Sequence, residues 1–312
     1  MHKIWSIAYS TALVLASCSN EPKNIKTNAI DYHSLIDSTA TKYLEELHAD
    51  SIGVYIFDIN QNELVYTANY RLEQDQLKYR AIEFNEKFEP ASLLKPYWAS
   101  VMIQNDLVRS ADTIAYQPEI FFYDVKMVDP FDMRRQSISL SEAVQLSSNT
   151  AMATFLNQFD GNPIVESELA KIQNPIYRSG VSLAWAAIGS GVEIGVSELL
   201  KYYAQVATIQ KSDQWSESTL KEMNSMLRSV VTSGTAKNLH SDSIPISGKT
   251  ATFRKYSDTG YGKYEGRFIG YHSIDPNQIV LVRVYNPKPL FYGSTTAGPI
   301  AFALLDVLNR NK

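Results

Sequence analysis

The chain has 312 residues, 45% of them hydrophobic, enough to bury a core as one large domain or two small ones. With 29 basic and 33 acidic residues its formal net charge is -4, so no strong positive field argues for a nucleic acid or another polyanion as partner. The 19 tyrosines and a charged fraction of 20% exclude a chain that stays disordered throughout.

The first residues differ from the rest. His2 and Lys3 are followed by a mostly apolar run, Ile4 to Leu15, too short to be a permanent membrane span. The run closes on Leu15-Ala16-Ser17-Cys18, small residues ahead of a cysteine, as at the end of a signal peptide. The tetrad resembles a bacterial lipobox, which implies that Cys18 is lipidated and becomes the mature N-terminus. Cys18 is the one cysteine in the chain, so no internal disulfide can form. The expected organisation is a signal peptide over 1–17, a polar tether over 18–30 and a single domain over 31–312. The mature protein is then anchored to a membrane, outside the cytoplasm, rather than threaded through it.

Apolar spacing at Leu35, Ile36, Tyr43, Leu44 and Leu47 predicts a helix over 31–48. Ile52, Val54, Ile56 and Ile59 sit among strand formers, Asp58 to Asn62 is turn chemistry, and Glu63 to Asn69 returns as a second strand. A polar stretch with aromatics runs to Pro90. From Ser92 the pattern turns helical, with Leu94, Trp98, Val101 and Met102 on one face and Pro96 in the first turn. Residues 139–232 read as mainly helical, best at Ser141–Leu146, Val196–Ile209 and Ser218–Val231. Strands are then expected at about Ser243–Phe253, Gly266–Ser273 and Gln278–Tyr285, and a last amphipathic helix at about Thr296–Leu308. Strands at both ends with helices between predict an α+β fold, its sheet built from distant parts of the chain around a mainly helical insertion.

A serine needs a nearby base to become a nucleophile. Ser92 and Lys95 lie three apart at the start of the expected helix, so both project from one face, next to N–H groups that could receive an oxyanion. A lysine serves as base only if burial or neighbouring charge lowers its pKa. The pattern Ser-x-x-Lys occurs again at Ser218-Thr219-Leu220-Lys221. Only the first copy is followed by Ser147-Ser148-Asn149, the one Ser-x-Asn in the chain, and then by Lys249-Thr250-Ala251-Thr252 in a strand-like run. Ser218 reads as the start of a solvated helix.

Ser92-Leu93-Leu94-Lys95, Ser147-Ser148-Asn149 and Lys249-Thr250-Ala251, in that order, resemble the three motifs of penicillin-binding protein transpeptidase domains and serine β-lactamases. Phe88-Glu89-Pro90-Ala91 before the serine, Ala187-Ile188-Gly189-Ser190-Gly191 with Val196-Ser197-Glu198-Leu199-Leu200, Gly234-Thr235-Ala236 and Phe268-Ile269-Gly270-Tyr271 extend the likeness over roughly 50–310. The resemblance implies a central antiparallel sheet with helices on both faces. It implies that Ser92 attacks a peptide or lactam carbonyl, Lys95 takes its proton and Ser147 relays a proton to the leaving group. It places Asn149 on the substrate's amide region, Lys249 as a source of positive potential, Thr250 and Thr252 on the terminal carboxylate, and the oxyanion in the N–H groups of Ser92 and Thr252. The implied partners are peptidoglycan stem peptides, β-lactams and cell-wall synthesis proteins, with no cofactor and no metal.

Three features depart from the family pattern. Ala251 stands where the family has glycine, and its methyl is expected to narrow the groove beside the strand. The stretch between Asn149 and Gly189 is short, and 19–50 is too short for the pedestal domain of the large synthases. These features keep open a non-catalytic relative that binds muropeptide or partner proteins. A β-lactamase is a further alternative, but no Glu or modified Lys stands out as its deacylating base. A Ser-His-Asp hydrolase fits poorly: among five histidines, His240 and His272 lack a Gly-x-Ser-x-Gly partner. With no His-x-x-x-His spacing and one cysteine, a zinc site is not expected.

Overall fold

The computed structural model describes residues 31–83, 86–122, 125–172, 183–257 and 260–310. The chain divides into Met1–Asp31 and Tyr32–Lys312, and the fold below is that of the second unit. The expected signal peptide over 1–17, the tether over 18–30 and Cys18 lie outside the described residues.

The unit opens with helix α1 (Tyr32–Leu47), then strands β1 (Ser51–Asp58), β2 (Glu63–Glu73), β3 (Gln76–Arg80) and the two-residue β4 (Lys87–Phe88). A 3-10 turn over Ala91–Leu94 leads into α2 (Lys95–Gln104). Short strands β5 (Thr113–Ala115), β6 (Glu119–Phe122), β7 (Val125–Val128) and β8 (Ser137–Ser139) precede α3 (Leu140–Gln145), α4 (Asn149–Asn157), α5 (Pro163–Ile172) and α6 (Leu183–Ala187). After β9 (Ile194–Gly195) come α7 (Val196–Thr208) and α8 (Glu217–Thr232). The chain closes with β10 (Ile246–Ser257), β11 (Gly260–His272), β12 (Gln278–Tyr285) and α9 (Ala297–Arg310). No helix among the described residues is long and apolar enough to cross a membrane.

The main sheet has six strands in the order β10-β11-β12-β1-β2-β3, antiparallel throughout. Three strands from the C-terminal part thus join three from the N-terminal part, with β1 against β12 from Ser51↔Tyr285 to Asp58↔Gln278. Both are buried almost end to end, as expected of strands covered on two faces. The strand period of two sorts their side chains. Ile52, Val54 and Ile56 of β1 and Val280, Val282 and Val284 of β12 join Ile36 and Leu44 of α1 and Ile300 and Leu304 of α9 in one core. Tyr55, Phe57, Ile279 and Leu281 face the other core, with Trp98 of α2 and Leu199 of α7. Helix α8 feeds both, through Leu220 and Met223 on one side and Val230 and Val231 on the other.

Two expectations change. The helix expected to begin at Ser92 begins at Lys95, after the 3-10 turn, and every residue from Lys95 to Met102 is buried, not one face alone. Sheet and helical insertion enclose it together. The polar stretch before Pro90 holds β3, joined to β2 by Gln74 and Asp75 with φ of 50° and 61°, the geometry of a type I′ hairpin turn. As an edge strand β3 is mostly solvated, so it carries little hydrophobic signal.

Candidate active site

Ser92 sits half-buried in the 3-10 turn that runs into α2. The turn is held from three directions. Ala91 has φ of 50°, a left-handed conformation costly for a residue with a Cβ, and its N–H donates to Gly189 O at 3.0 Å. Gly189 itself has φ of 72°, and a Cβ there would lie 2.1 Å from Ala91 O, so only glycine allows this approach. Gly191 N–H donates to Glu89 Oε1 at 2.8 Å, and Tyr203 Oη donates to Leu93 O at 2.9 Å. The β4–β9 bridge, Lys87↔Gly195 and Phe88↔Ile194, ties the approach to Ser92 to the start of α7.

Lys95 heads α2 and is fully buried. Its Nζ donates to Ser147 O at 2.6 Å and Asn149 Oδ1 at 2.7 Å, with Ser147 Oγ at 3.3 Å. Burial takes its ammonium down from the usual lysine range to about 7, and the negative charge of Asp129 acts in the opposite sense. Ser147 has φ of 55° and occupies the turn between α3 and α4. That turn is framed by the Ser139–Glu142 capping box of α3 and by Ser148, which caps α4 through Ala151 N–H at 3.0 Å.

Lys249 reaches the same hydroxyl from β10, the edge strand, with Nζ 2.8 Å from Ser147 Oγ and 3.0 Å from Thr250 O. It is also fully buried; burial and then the nearby Lys95 charge hold it well below its ordinary value. Thr250 Oγ1 lies 2.6 Å from Thr235 Oγ1, and Thr252 Oγ1 accepts from Gly293 N–H at 3.2 Å. Ala251 is 3% exposed and belongs to the apolar cluster of Leu93, Leu94 and Trp98.

The structure therefore brings Lys95, Ser147, Asn149 and Lys249 into one hydrogen-bonded set, with Ser92 one turn before Lys95. Among the described residues, Ser92 Oγ has no hydrogen-bond partner. Ser218 lies exposed in the first turn of α8, where Lys221 pairs with Glu217 at 2.5 Å, both side chains 60% exposed. No metal-binding cluster occurs among the described residues.

Two supporting groups carry no pattern in the sequence. Asp129, 8% exposed, follows β7 and accepts from Ser148 Oγ at 2.6 Å, Asn149 N–H at 2.5 Å and Thr150 N–H at 3.1 Å. Arg267 of β11 is buried, donates Nη1–H to Glu89 O and lies over the rings of Phe88 and Phe253. A turn-forming Asp129-Pro130 was the only available hint of the first, and nothing marked the second.

The family model described as penicillin binding protein transpeptidase domain matches residues 52–306 of the chain. Stage V sporulation protein D of Bacillus subtilis (strain 168) is 38% identical over 96 residues, which are 30% of this chain and 15% of that protein. A peptidoglycan D,D-transpeptidase FtsI homolog of Mesostigma viride is 29% identical over 107 residues, 33% of this chain and 18% of that protein. The chain thus matches only a minor part of the length of either relative. Among solved structures, the transpeptidase domain of Burkholderia pseudomallei penicillin-binding protein 3 superposes with a TM-score of 0.72 at 18% identity, covering 89% of this chain and 93% of that one. Penicillin-binding protein 3 of Mycobacterium tuberculosis, solved with aztreonam, gives 0.74 at 17% identity, covering 89% and 77%. At these identities the likeness is one of fold.

Proposed function

The chain belongs to the penicillin-binding protein transpeptidase domain family, and from that premise we propose that it is a serine acyltransferase acting on peptidoglycan stem peptides through an acyl-enzyme on Ser92. The observation that carries the reading is Lys95: a fully buried amine with a pKa of about 7, aimed at Ser147 and Asn149 one turn after a serine. A lysine in that state is a competent base near neutral pH.

Ser92 Oγ attacks the scissile carbonyl as neutral Lys95 takes its proton. The oxyanion is received by the backbone N–H groups of Ser92 and Thr252. On collapse the C–N bond breaks, and the proton passes from Lys95 through Ser147 to the leaving nitrogen. Asn149 holds the amide of the donor peptide, while Thr250, Ala251, Thr252 and Lys249 form the edge that receives its terminal carboxylate. An amine acceptor then makes the enzyme a D,D-transpeptidase, and water makes it a D,D-carboxypeptidase. A β-lactam follows the first half of this path and stays on Ser92. Cys18, as a lipidated N-terminus, would hold the domain at the outer side of a membrane, near cell-wall synthesis proteins; a fatty-acid label lost on Cys18→Ser tests this.

The experiment is to incubate the purified protein with a labelled penicillin and read the mass adduct. A stable adduct on Ser92, lost in Ser92→Ala and kept in Ser218→Ala, supports the proposal. Rapid drug turnover points to a serine β-lactamase. No adduct at high drug concentration sinks the catalytic reading in favour of a muropeptide-binding module, the reading that Ala251 and the short stretch between Asn149 and Gly189 favour.

A further inference from the structure

Asp129 is one of few buried carboxylates among the described residues, and it is heavily used as an acceptor. Besides Ser148 Oγ and the N–H groups of Asn149 and Thr150, it receives Thr150 Oγ1 at 3.2 Å and Tyr116 Oη at 3.1 Å. Four of these donors, from Ser148, Asn149 and Thr150, lie at the N-terminus of α4, where unpaired N–H groups and the helix dipole favour an anion. The loop that carries Asp129 is pinned in turn by its own N–H, which donates to Pro118 O at 2.9 Å.

The residues so gripped are the catalytic turn itself. Asn149, whose N–H goes to Asp129, presents Oδ1 to Lys95 at 2.7 Å and its Nδ2 to Val128 O at 3.2 Å, one residue before Asp129. Ser148, whose Oγ goes to Asp129, directly follows Ser147, whose left-handed φ turns its carbonyl and hydroxyl toward Lys95. A left-handed residue persists only where its surroundings over-determine it, and Asp129 is the group that fastens the residues just after it. The charged groups facing Lys95 are Asp129, from the loop after β7, and Lys249, from β10; Tyr116, from the loop before β6, faces the carboxylate.

We infer that Asp129 is a positioning residue for the acyl transfer: its carboxylate locks the Ser147–Asn149 turn in the conformation that serves Lys95, and it is the carboxylate that faces Lys95. The inference rests on the function proposed for Ser92, Lys95 and Ser147. It assigns Asp129 no contact with substrate.

Two variants test it, Asp129→Asn, which keeps the shape and removes the charge, and Asp129→Glu, which keeps the charge and displaces it. The first readout is an NMR titration of carbon-13-labelled lysine side chains in the full chain, with Lys95 assigned by its loss in Lys95→Met. Removing the charge should move the Lys95 midpoint to lower pH in Asp129→Asn, while Asp129→Glu stays near the parent. A role confined to capping α4 would leave that midpoint unmoved, and an unmoved midpoint in folded Asp129→Asn overturns the inference. The second readout is the rate of adduct formation with labelled penicillin, expected to fall about tenfold to hundredfold in both variants through misplacement of the turn. Where Asp129→Asn does not fold, Asp129→Glu decides, and an unchanged rate in it overturns the inference. A parent protein that forms no adduct removes the proposed function, while the NMR titration still decides whether Asp129 sets the charge of Lys95.

Discussion

Lys249 Nζ donates to Ser147 Oγ at 2.8 Å, joining the edge strand to the turn between α3 and α4. On the other side of that turn Lys95 Nζ lies 3.3 Å from the same oxygen. A hydroxyl has one proton and two lone pairs. With a lysine on either side supplying hydrogens, the proton of Ser147 is the one free to be passed on. Removing the hydroxyl should therefore cost rate and not fold. We expect Ser147→Ala to acylate about 10²- to 10⁴-fold more slowly than the parent. Ser147→Gly is the sharper control, since glycine adopts the observed φ of 55° without strain. Adduct formation followed by mass spectrometry, beside thermal melting, checks both; a Gly variant of parental rate would exclude a relay through Ser147.

The charge state of Lys95 makes a second prediction. Its pKa sits at about 7 because burial penalises the ammonium, partly offset by Asp129. Only the neutral amine can accept the Ser92 proton, so acylation should rise as pH climbs through about 7 and level off above it. Rates of penicillin acylation measured from about pH 5 to about pH 9 give the profile. A rate that falls across neutrality would mean that the protonated lysine is the active form.

Much of the candidate site could be read from the chain before its geometry was known. Ser92, Lys95, Ser147, Asn149 and Lys249 stood out because their order along the chain is informative even when each short pattern alone is common. The strands β1 and β12 were legible because apolar residues dominate them, and β12 runs over the expected residues Gln278–Tyr285. Elsewhere tertiary context decided. Strand β10 continues to Ser257 and β11 begins at Gly260, because backbone pairing with a neighbour extends a hairpin past its apolar residues. The burial of α2 on all sides depends on what surrounds it. Asp129 and Arg267 gain their roles only from partners brought from distant segments, which no local pattern encodes.

Gly189 gives a third prediction. Its φ is 72°, and a side chain there would place its Cβ 2.1 Å from Ala91 O, far inside van der Waals contact. Gly189→Ala should destabilise the protein by at least about 2 kcal/mol, from left-handed strain and overpacking together. The displaced atom is the carbonyl of the residue before Ser92, so acylation should fall in the variant that remains folded. Chemical denaturation and the penicillin adduct rate read the two effects separately. Normal stability with normal acylation would show that the turn is not held from this side.

The last prediction concerns the charges near Ser92. Arg267 of β11 and Arg283 of β12 face each other in register, a repulsive pair relieved by Glu265, which binds Arg267 Nε at 2.8 Å and Arg283 Nε at 2.5 Å. Arg283 continues to Glu86 Oε1 and Tyr55 Oη, each at 3.0 Å, and Arg267 reaches the carbonyl of Glu89, three residues before Ser92. Burial alone would raise the Glu265 carboxyl; the two guanidiniums overcome it and hold the group at about 2, against 4.5 for a free glutamate. Its contribution is thus fully present above about 4.5 and fades as pH falls toward about 2. Glu265→Gln leaves two buried cations without their shared anion and should cost about 3–5 kcal/mol near neutral pH. The gap between parent and variant should then close progressively as the medium is acidified through that window. Urea denaturation at a series of pH values measures it. A gap that is small at neutral pH, or that widens in acid, would show that the cluster does not stabilise the fold through Glu265.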